Sequence, residues 1–203
     1  MAALDPEYMT LDYRCQYRGV PSLDHDPSDY PMDWTVTIDA PAWAEGNSDD
    51  YEDDRRVPVG KAHLSIVPDA GLIDLFDTLD AVDQTLANVG EMLTTKRPDL
   101  MISSGMELGG DLLVLHSLWI DPTFRGHKLG NKILKAILGT VGRATALVIL
   151  QASPVLTDDG PLEGSPEHAA AKAALRRYWA DYGFREAAGD YLVLGEMADA
   201  FDD

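Results

Sequence analysis

Residues Asp111 to Val141 read DLLVLHSLWIDPTFRGHKLGNKILKAILGTV, and this stretch decides the fold. An apolar run from Leu112 to Ile120 is the length of a buried strand. The turn Asp121-Pro122-Thr123-Phe124-Arg125-Gly126-His127 follows, and a helix opens at about Lys128 to Gly130. Along that helix Leu129, Ile133, Leu134, Ile137, Leu138 and Val141 share one face, at spacings of three and four. Strand, small-residue turn and helix together present unpaired backbone N–H groups to an anion. The helix dipole favours negative charge there by roughly 0.3–1 kcal/mol. A diphosphate would take several of these N–H groups at once.

Downstream, Ala146 to Ala152 is wholly apolar and reads as a second strand. Two such strands around one helix make a βαβ unit, which implies a parallel pair buried on both faces. The loop from Ser153 to Gly164 carries Asp158, Asp159 and Glu163 just past a strand's C-terminal end, where α/β sites are usually built. Ser165 then reads as an N-cap, with Pro166 at the first helical position and Glu167 near the dipole. That helix runs to Tyr182, stops at Gly183, and is followed by a strand or hairpin over Phe184 to Leu194.

Upstream, Met9, Leu11, Tyr13, Cys15 and Tyr17 alternate with polar residues, the pattern of a half-buried strand, and Cys15 is expected to fill core. Asp33 to Ile38 and Val57 to Val67 read as two more strands, separated by the acidic tract Glu45 to Asp54, too charged to bury. Leu72 to Thr95 carries apolar residues at helical spacing and is expected to be one long helix, closed by Lys96, Arg97 and Pro98. The same spacing would serve a homodimer contact, although under four heptads it suits packing on a sheet better. Residues 99–110 read as a turn-rich connection.

The whole chain has 203 residues with 45% hydrophobic and 25% charged content, which suits a single soluble α/β domain over 1–203. No apolar run is long enough to span a bilayer, and the first residues lack the basic and apolar regions of a secretory signal. A lone cysteine forms no internal disulfide, so a reducing cytoplasm is the expected compartment. The five histidines are too scattered to argue a metal. A formal net charge of −19 argues against nucleic-acid and anionic-membrane partners. Three readings of this charge remain: a solubility device, the simplest; steering of a cationic substrate; and mimicry of DNA by an inhibitor.

The loop Arg125-Gly126-His127-Lys128-Leu129-Gly130 resembles the acyl-CoA-binding segment of the GNAT (GCN5-related) N-acetyltransferases, Arg/Gln-x-x-Gly-x-Gly/Ala, with Lys128 at the middle glycine. The Ile-Asp-Pro lead-in, the Asn131-Lys132-Ile133-Leu134 helix start and the Gly183-Phe184 pair also resemble that family. The resemblance covers Asp111 to Leu194, and residues 1–110 form a more divergent half. It implies an α/β fold: a mixed central β-sheet with splayed middle strands and helices on both faces. It implies acetyl-CoA as co-substrate, without metal, and a primary amine acceptor, either a small cationic molecule or a lysine side chain of a peptide. Arg125, Gly126, His127, Lys128, Leu129, Gly130 and Asn131 would then cradle the diphosphate, and Leu118, Trp119 and Ile120 would hold the pantetheine arm through main-chain bonds.

Acetyl transfer to an amine needs a base, an oxyanion donor and an acid for the leaving sulfur. His116, on the central strand, is the nominated base, with a histidine merely satisfied in the sheet as the competing reading; Asp111 and Glu107 are weaker candidates. The family's tyrosine acid lies four residues before the glycine, and Trp179 stands there, so Tyr178 and Tyr182 are the nominees. Two other classes remain: a non-catalytic acyl-CoA-binding regulator, and an acidic nucleic-acid mimic.

Overall fold

The parallel pair forms as its apolar runs require. The structure, a computed structural model, describes residues 5–17, 30–41, 55–126, 128–154 and 162–195. In it β4 (Asp111–Ile120) leads through a 3-10 turn at Pro122–Phe124 into α4 (Leu129–Gly139), and α4 returns to β5 (Thr145–Gln151). Three antiparallel strands precede this unit: β1 (Thr10–Gln16), β2 (Met32–Pro41) and β3 (Arg56–Val67). After β5 come α5 (Pro166–Ala180), the short β6 (Arg185–Glu186) and β7 (Tyr191–Gly195). The described strands make one sheet in the order β1-β2-β3-β4-β5-β7-β6, in which β4 and β5 are the parallel neighbours.

Strand alternation sends side chains to opposite faces, and both faces of the central pair are covered. Leu113, Leu115, Val148 and Leu150 pack with Ile133 and Ile137 of α4 and Trp179 of α5. Leu112, Val114, Leu147 and Ile149 pack with the helices that precede β4. This is the mixed sheet with helices on both faces expected from the sequence.

β4 and β5 do not stay paired. Their ladder runs from Asp111↔Thr145 to Leu115↔Leu150 and ends there, while β4 continues to Ile120 along β3. The middle strands are therefore splayed, and the second half of β4 carries a main-chain edge that β5 does not take. A backbone irregularity marks the same point. His63 stands opposite Ser117 and Leu64 opposite Leu115, so His116 is the extra residue of a β-bulge. The parity of the strand flips across it: Leu113 and Leu115 face the α4 core before the bulge, and Leu118 and Ile120 pack on that core after it.

Three expectations are corrected. The long helix over Leu72 to Thr95 is two short ones, α1 (Leu75–Asp80) and α2 (Gln84–Glu91), ending in a wider π turn at Met92–Lys96. Asp83 breaks it. Its backbone is extended, and its carboxylate accepts from Leu86 N–H at 2.9 Å, so it starts a new helix rather than continuing the old one. Of the apolar residues at that spacing, Leu72 and Val82 are exposed, and of the alternatives Leu75 or Phe76 it is Leu75 that is buried. The turn-rich connection that follows contains a short helix, α3 (Asp99–Ser103). Cys15, expected in the core, is exposed. It lies on β1 at the end of the strand order, where even Leu11 and Tyr13 of the same face are only partly buried. The acidic tract Glu45 to Asp54 and the pair Asp158 and Asp159 fall outside the described residues.

Candidate active site

The splay opens a cleft of about 710 Å³. One wall is the unpaired half of β4, with His116, Ser117, Leu118, Trp119 and Ile120; the other is Leu150 and Gln151 of β5 with Ala171, Ala174, Leu175 and Tyr178 of α5. Arg125, Gly126, Lys128, Leu129 and Gly130 line it as well. So the structure brings together the three strand residues and five of the seven loop residues named from the sequence. His127 falls outside the described residues. Asn131 lies one step inside α4 and is buried, its Oδ1 without a partner among the described residues.

The loop turns through a left-handed residue at the start of α4, although that residue is a lysine. Lys128 has φ +53° and ψ 29°, the left-handed region that a side chain with a Cβ tolerates poorly. Such strain persists where the surroundings impose it. Lys128 caps α4 in that shape, and its Nζ lies 3.5 Å from Asp181 Oδ2 at the exposed end of α5. Gly126, at φ +106°, has nothing within 4 Å of a built Cβ. Its neighbour Arg125 turns back, Nε donating to the Ile120 carbonyl at 2.9 Å, and so ties the loop to the end of β4.

Gly130 has a different reason. A Cβ there would stand 2.6 Å from the Tyr178 hydroxyl oxygen and 3.4 Å from Leu118 Cδ2. That hydroxyl sits on the mouth of α4, where it accepts from Asn131 N–H at 3.0 Å. Burial raises the Tyr178 pKa, and the Asn131 and Gly130 amides oppose the rise. The phenol therefore keeps its proton near neutrality and has an O–H to donate. Tyr182, the other tyrosine nominated from the sequence, lines neither cavity described here; its ring packs beside Phe184 and its hydroxyl is buried without a partner among the described residues. Trp179 is core, edge-on to both Tyr178 and Phe184. The helix ends below it, with Phe184 N–H donating to the Trp179 carbonyl at 3.1 Å across Gly183 at φ +115°.

A second, smaller cavity of about 260 Å³ is lined by Thr85 and Val89 of α2, Val114, Ile149 and Tyr191. The two cavities share Leu115, His116, Leu150 and Gln151, the residues at which β4 and β5 part. His116 thus stands at their junction. Its Nε2 is 2.8 Å from Ser65 Oγ, and its ring stacks on that of His63 with centroids 4.8 Å apart. Burial, and next the charge of His63, hold the His116 pKa below the ordinary imidazole value, so the ring is neutral at neutral pH. Sequence reasoning missed His63, Ser65, Gln151 and Tyr191. His63 and Ser65 meet His116 only through the β3–β4 register, which no local pattern reports. The weaker base candidates lie elsewhere. Asp111 is at the far end of β4, accepting from Asp69 N–H, and Glu107 belongs to a 3-10 turn outside both cavities. No group of metal-ligating side chains is found among the described residues.

No protein-family model matches the chain, and no curated protein does. Among solved structures it is similar to a mosquito arylalkylamine N-acetyltransferase like 5b, at 11% identity over 80% of this chain and 74% of that one, with a TM-score of 0.42. It is similar to Arabidopsis thaliana NAA60, solved with a bisubstrate analogue, at 13% identity over 82% and 76% of the two chains and a TM-score of 0.39. A third is the Drosophila melanogaster polyamine N-acetyltransferase, an enzyme that forms N-acetylagmatine, at 12% identity over 80% and 74% and a TM-score of 0.38. These neighbours are GNAT-family N-acetyltransferases, and the likeness is one of chain path, at identities that carry over no residue's role.

Proposed function

We propose that this chain is an acetyl-CoA-dependent N-acetyltransferase acting on a primary amine. One observation carries the reading: a cleft runs from the left-handed loop at the mouth of α4, along an unpaired strand edge, to a neutral histidine at which a second cavity begins. The larger cleft suits the long co-substrate, and the smaller one suits the amine.

The residues present fit acetyl-CoA. At the mouth of α4 the Tyr178 hydroxyl oxygen takes the Asn131 amide and turns its own O–H toward a diphosphate as donor, with the amides that precede Gly130 beside it and Lys128 adding a cation at the rim. The free edge of β4 after Leu115 offers N–H and C=O groups in strand spacing to the amide-bearing pantetheine arm. In this scheme an N–H of the same edge, near the bulge, holds the developing negative charge on the carbonyl oxygen. His116 takes a proton from the acceptor ammonium, because only the neutral amine has a lone pair with which to attack. Acetyl-CoA supplies an acyl group activated as a thioester. Net, an acyl C–S bond is exchanged for a C–N bond, the sulfur leaves as thiol, and a cationic amine releases one proton per turnover. Tyr178 serves the cradle in this scheme, and Tyr182 takes no part. The acceptor is a small amine or a lysine side chain, and the net charge of −19 favours cations near the surface.

The test is to incubate the chain with acetyl-CoA and a panel of small amines and lysine peptides, following free thiol. Thiol release that depends on an amine supports the reading. Tight acetyl-CoA binding without amine-dependent release would establish instead a non-catalytic acyl-CoA-binding protein, a reading favoured by Trp179 packed in the core where a tyrosine was expected.

A further inference from the structure

A polar seam crosses the sheet beside the junction of the two cavities. Asp33 on β2 stands opposite Ser65 on β3, and His63 lies two residues from Ser65 on the same face. The seam begins at the surface, where the Asp33 and His63 side chains are each 43% exposed, and ends inside, where Ser65 is 3% exposed. At its inner end stands the bulged His116. Buried polar side chains on a sheet of Val, Leu and Ile are costly unless they satisfy one another. Here they do. His63 Nε2 is 2.5 Å from Asp33 Oδ1, the His63 ring lies over the His116 ring at 29° between planes, and Ser65 Oγ meets His116 Nε2.

We propose that Ser65, His63 and Asp33 are positioning residues for His116: Ser65 accepts from Nε2–H, His63 held by Asp33 fixes the plane of the ring, and Nδ1 is left as the proton acceptor. The inference rests on the function proposed above. Its physical content is a tautomer. Neutral imidazole has one N–H and one lone pair, and the partner of one nitrogen decides what the other can do. If Nε2 carries the hydrogen, Nδ1 holds the lone pair; one N–H bond of the acceptor ammonium breaks, its proton goes to Nδ1, and the nitrogen keeps the electron pair that forms the new C–N bond. A bulge leaves its extra residue unpaired in the ladder, so the ring needs side-chain partners to hold it. Stacking on a ring that is itself tethered supplies them. The charged groups about His116 are His63 from β3, Asp33 from β2 and Asp83 from the start of α2, and the Tyr191 phenol lines the same cavity.

The tautomer is read directly from histidine ring ¹⁵N shifts of the full chain without any ligand. The wild type is expected to show neutral His116 as the Nε2–H form, and Ser65→Ala a mixture of both forms. His63→Phe keeps the stack and removes a charge, so the His116 titration midpoint should rise while the Nε2–H form persists; His63→Ala should also lose the single ring orientation. In turnover, Ser65→Ala should lower kcat by about tenfold or more with KM for the amine little changed. An Nδ1–H tautomer in the wild type, or a titration midpoint indifferent to His63→Phe, overturns the proposal even if the chain acetylates amines. The expected spectra with no amine-dependent thiol release would leave the ring held as described and remove the function instead.

Discussion

The two halves of β4 are one strand with two occupations. From Leu112 to Leu115 it pairs with β3 on one side and β5 on the other, and Leu112 and Leu113 are wholly buried. Past the bulged His116, from Ser117 to Ile120, it pairs with β3 alone, and its free edge lines the cleft. Large apolar residues recur in both halves, so the sequence reads as one strand. What separates them is the bulge at His116 and the departure of β5. The first half is buried in the sheet, and the second half keeps a main-chain edge that β5 does not take.

The largest expected effect comes from breaking the first half. Leu113→Ala should cost about 2–5 kcal/mol in urea unfolding, because a fully buried side chain in a packed core leaves a cavity. Trp119→Ala in the second half should cost within about 1 kcal/mol, since that side chain is 43% exposed, yet should weaken acetyl-CoA binding. Equal losses of stability from the two would deny the division of labour.

Next comes the junction of loop and α5. Gly130→Ala puts a Cβ 2.6 Å from the Tyr178 oxygen, and about 1–3 kcal/mol of stability should go with the displaced hydroxyl. Removing that hydroxyl first, with Tyr178→Phe, should make the alanine cheaper, and the double-mutant cycle measures the coupling. Additive losses would mean that Gly130 is there for another reason. A smaller effect has the opposite sign. Lys128→Gly relieves a left-handed backbone and should stabilise the chain by up to about 1 kcal/mol in the same assay. It also removes a cation from the cleft, so weaker acetyl-CoA binding with higher stability is the expected pair of results.

The smallest effect is a slope with pH. His116 titrates below the ordinary imidazole value in the folded chain, because of burial and next the charge of His63. Between the folded and unfolded pKa values the unfolded chain binds the extra proton. His116 therefore contributes full stability above the unfolded value, loses it as pH falls through the window below, and levels off beneath the folded value. His116→Asn should flatten this part of the stability–pH curve relative to wild type, and an unchanged slope would place the depressed titration elsewhere.

Much of this was legible in residues whose neighbours in sequence are also their neighbours in space. The β4–α4–β5 unit, the Ser165 cap and the Gly183 stop are local patterns, and the structure has them. The break at Asp83 had a signal too, an aspartate three residues before Leu86, but apolar spacing across it outweighed the cap. The bulge at His116 shows in the sequence only as the polar pair His116-Ser117 inside an apolar run, which does not say that the ladder skips a residue there. The partners of His116 are set by strand register: Ser65 is 51 residues away, and Asp33 is a further 30 from His63. Tyr178 and Trp179 both line the cleft but differ by about 100° around α5, so which of them meets the mouth of α4 depends on helix phase against the sheet.

Calorimetric titration of acetyl-CoA into wild type and Gly130→Glu is the most direct test of the central claim, that the mouth of α4 and the free edge of β4 hold this co-substrate. The account predicts saturable heat with the wild type and its loss in the variant, whose added charge and bulk stand at the cradle. Absence of heat with the wild type, or equal affinity in the two, would contradict it.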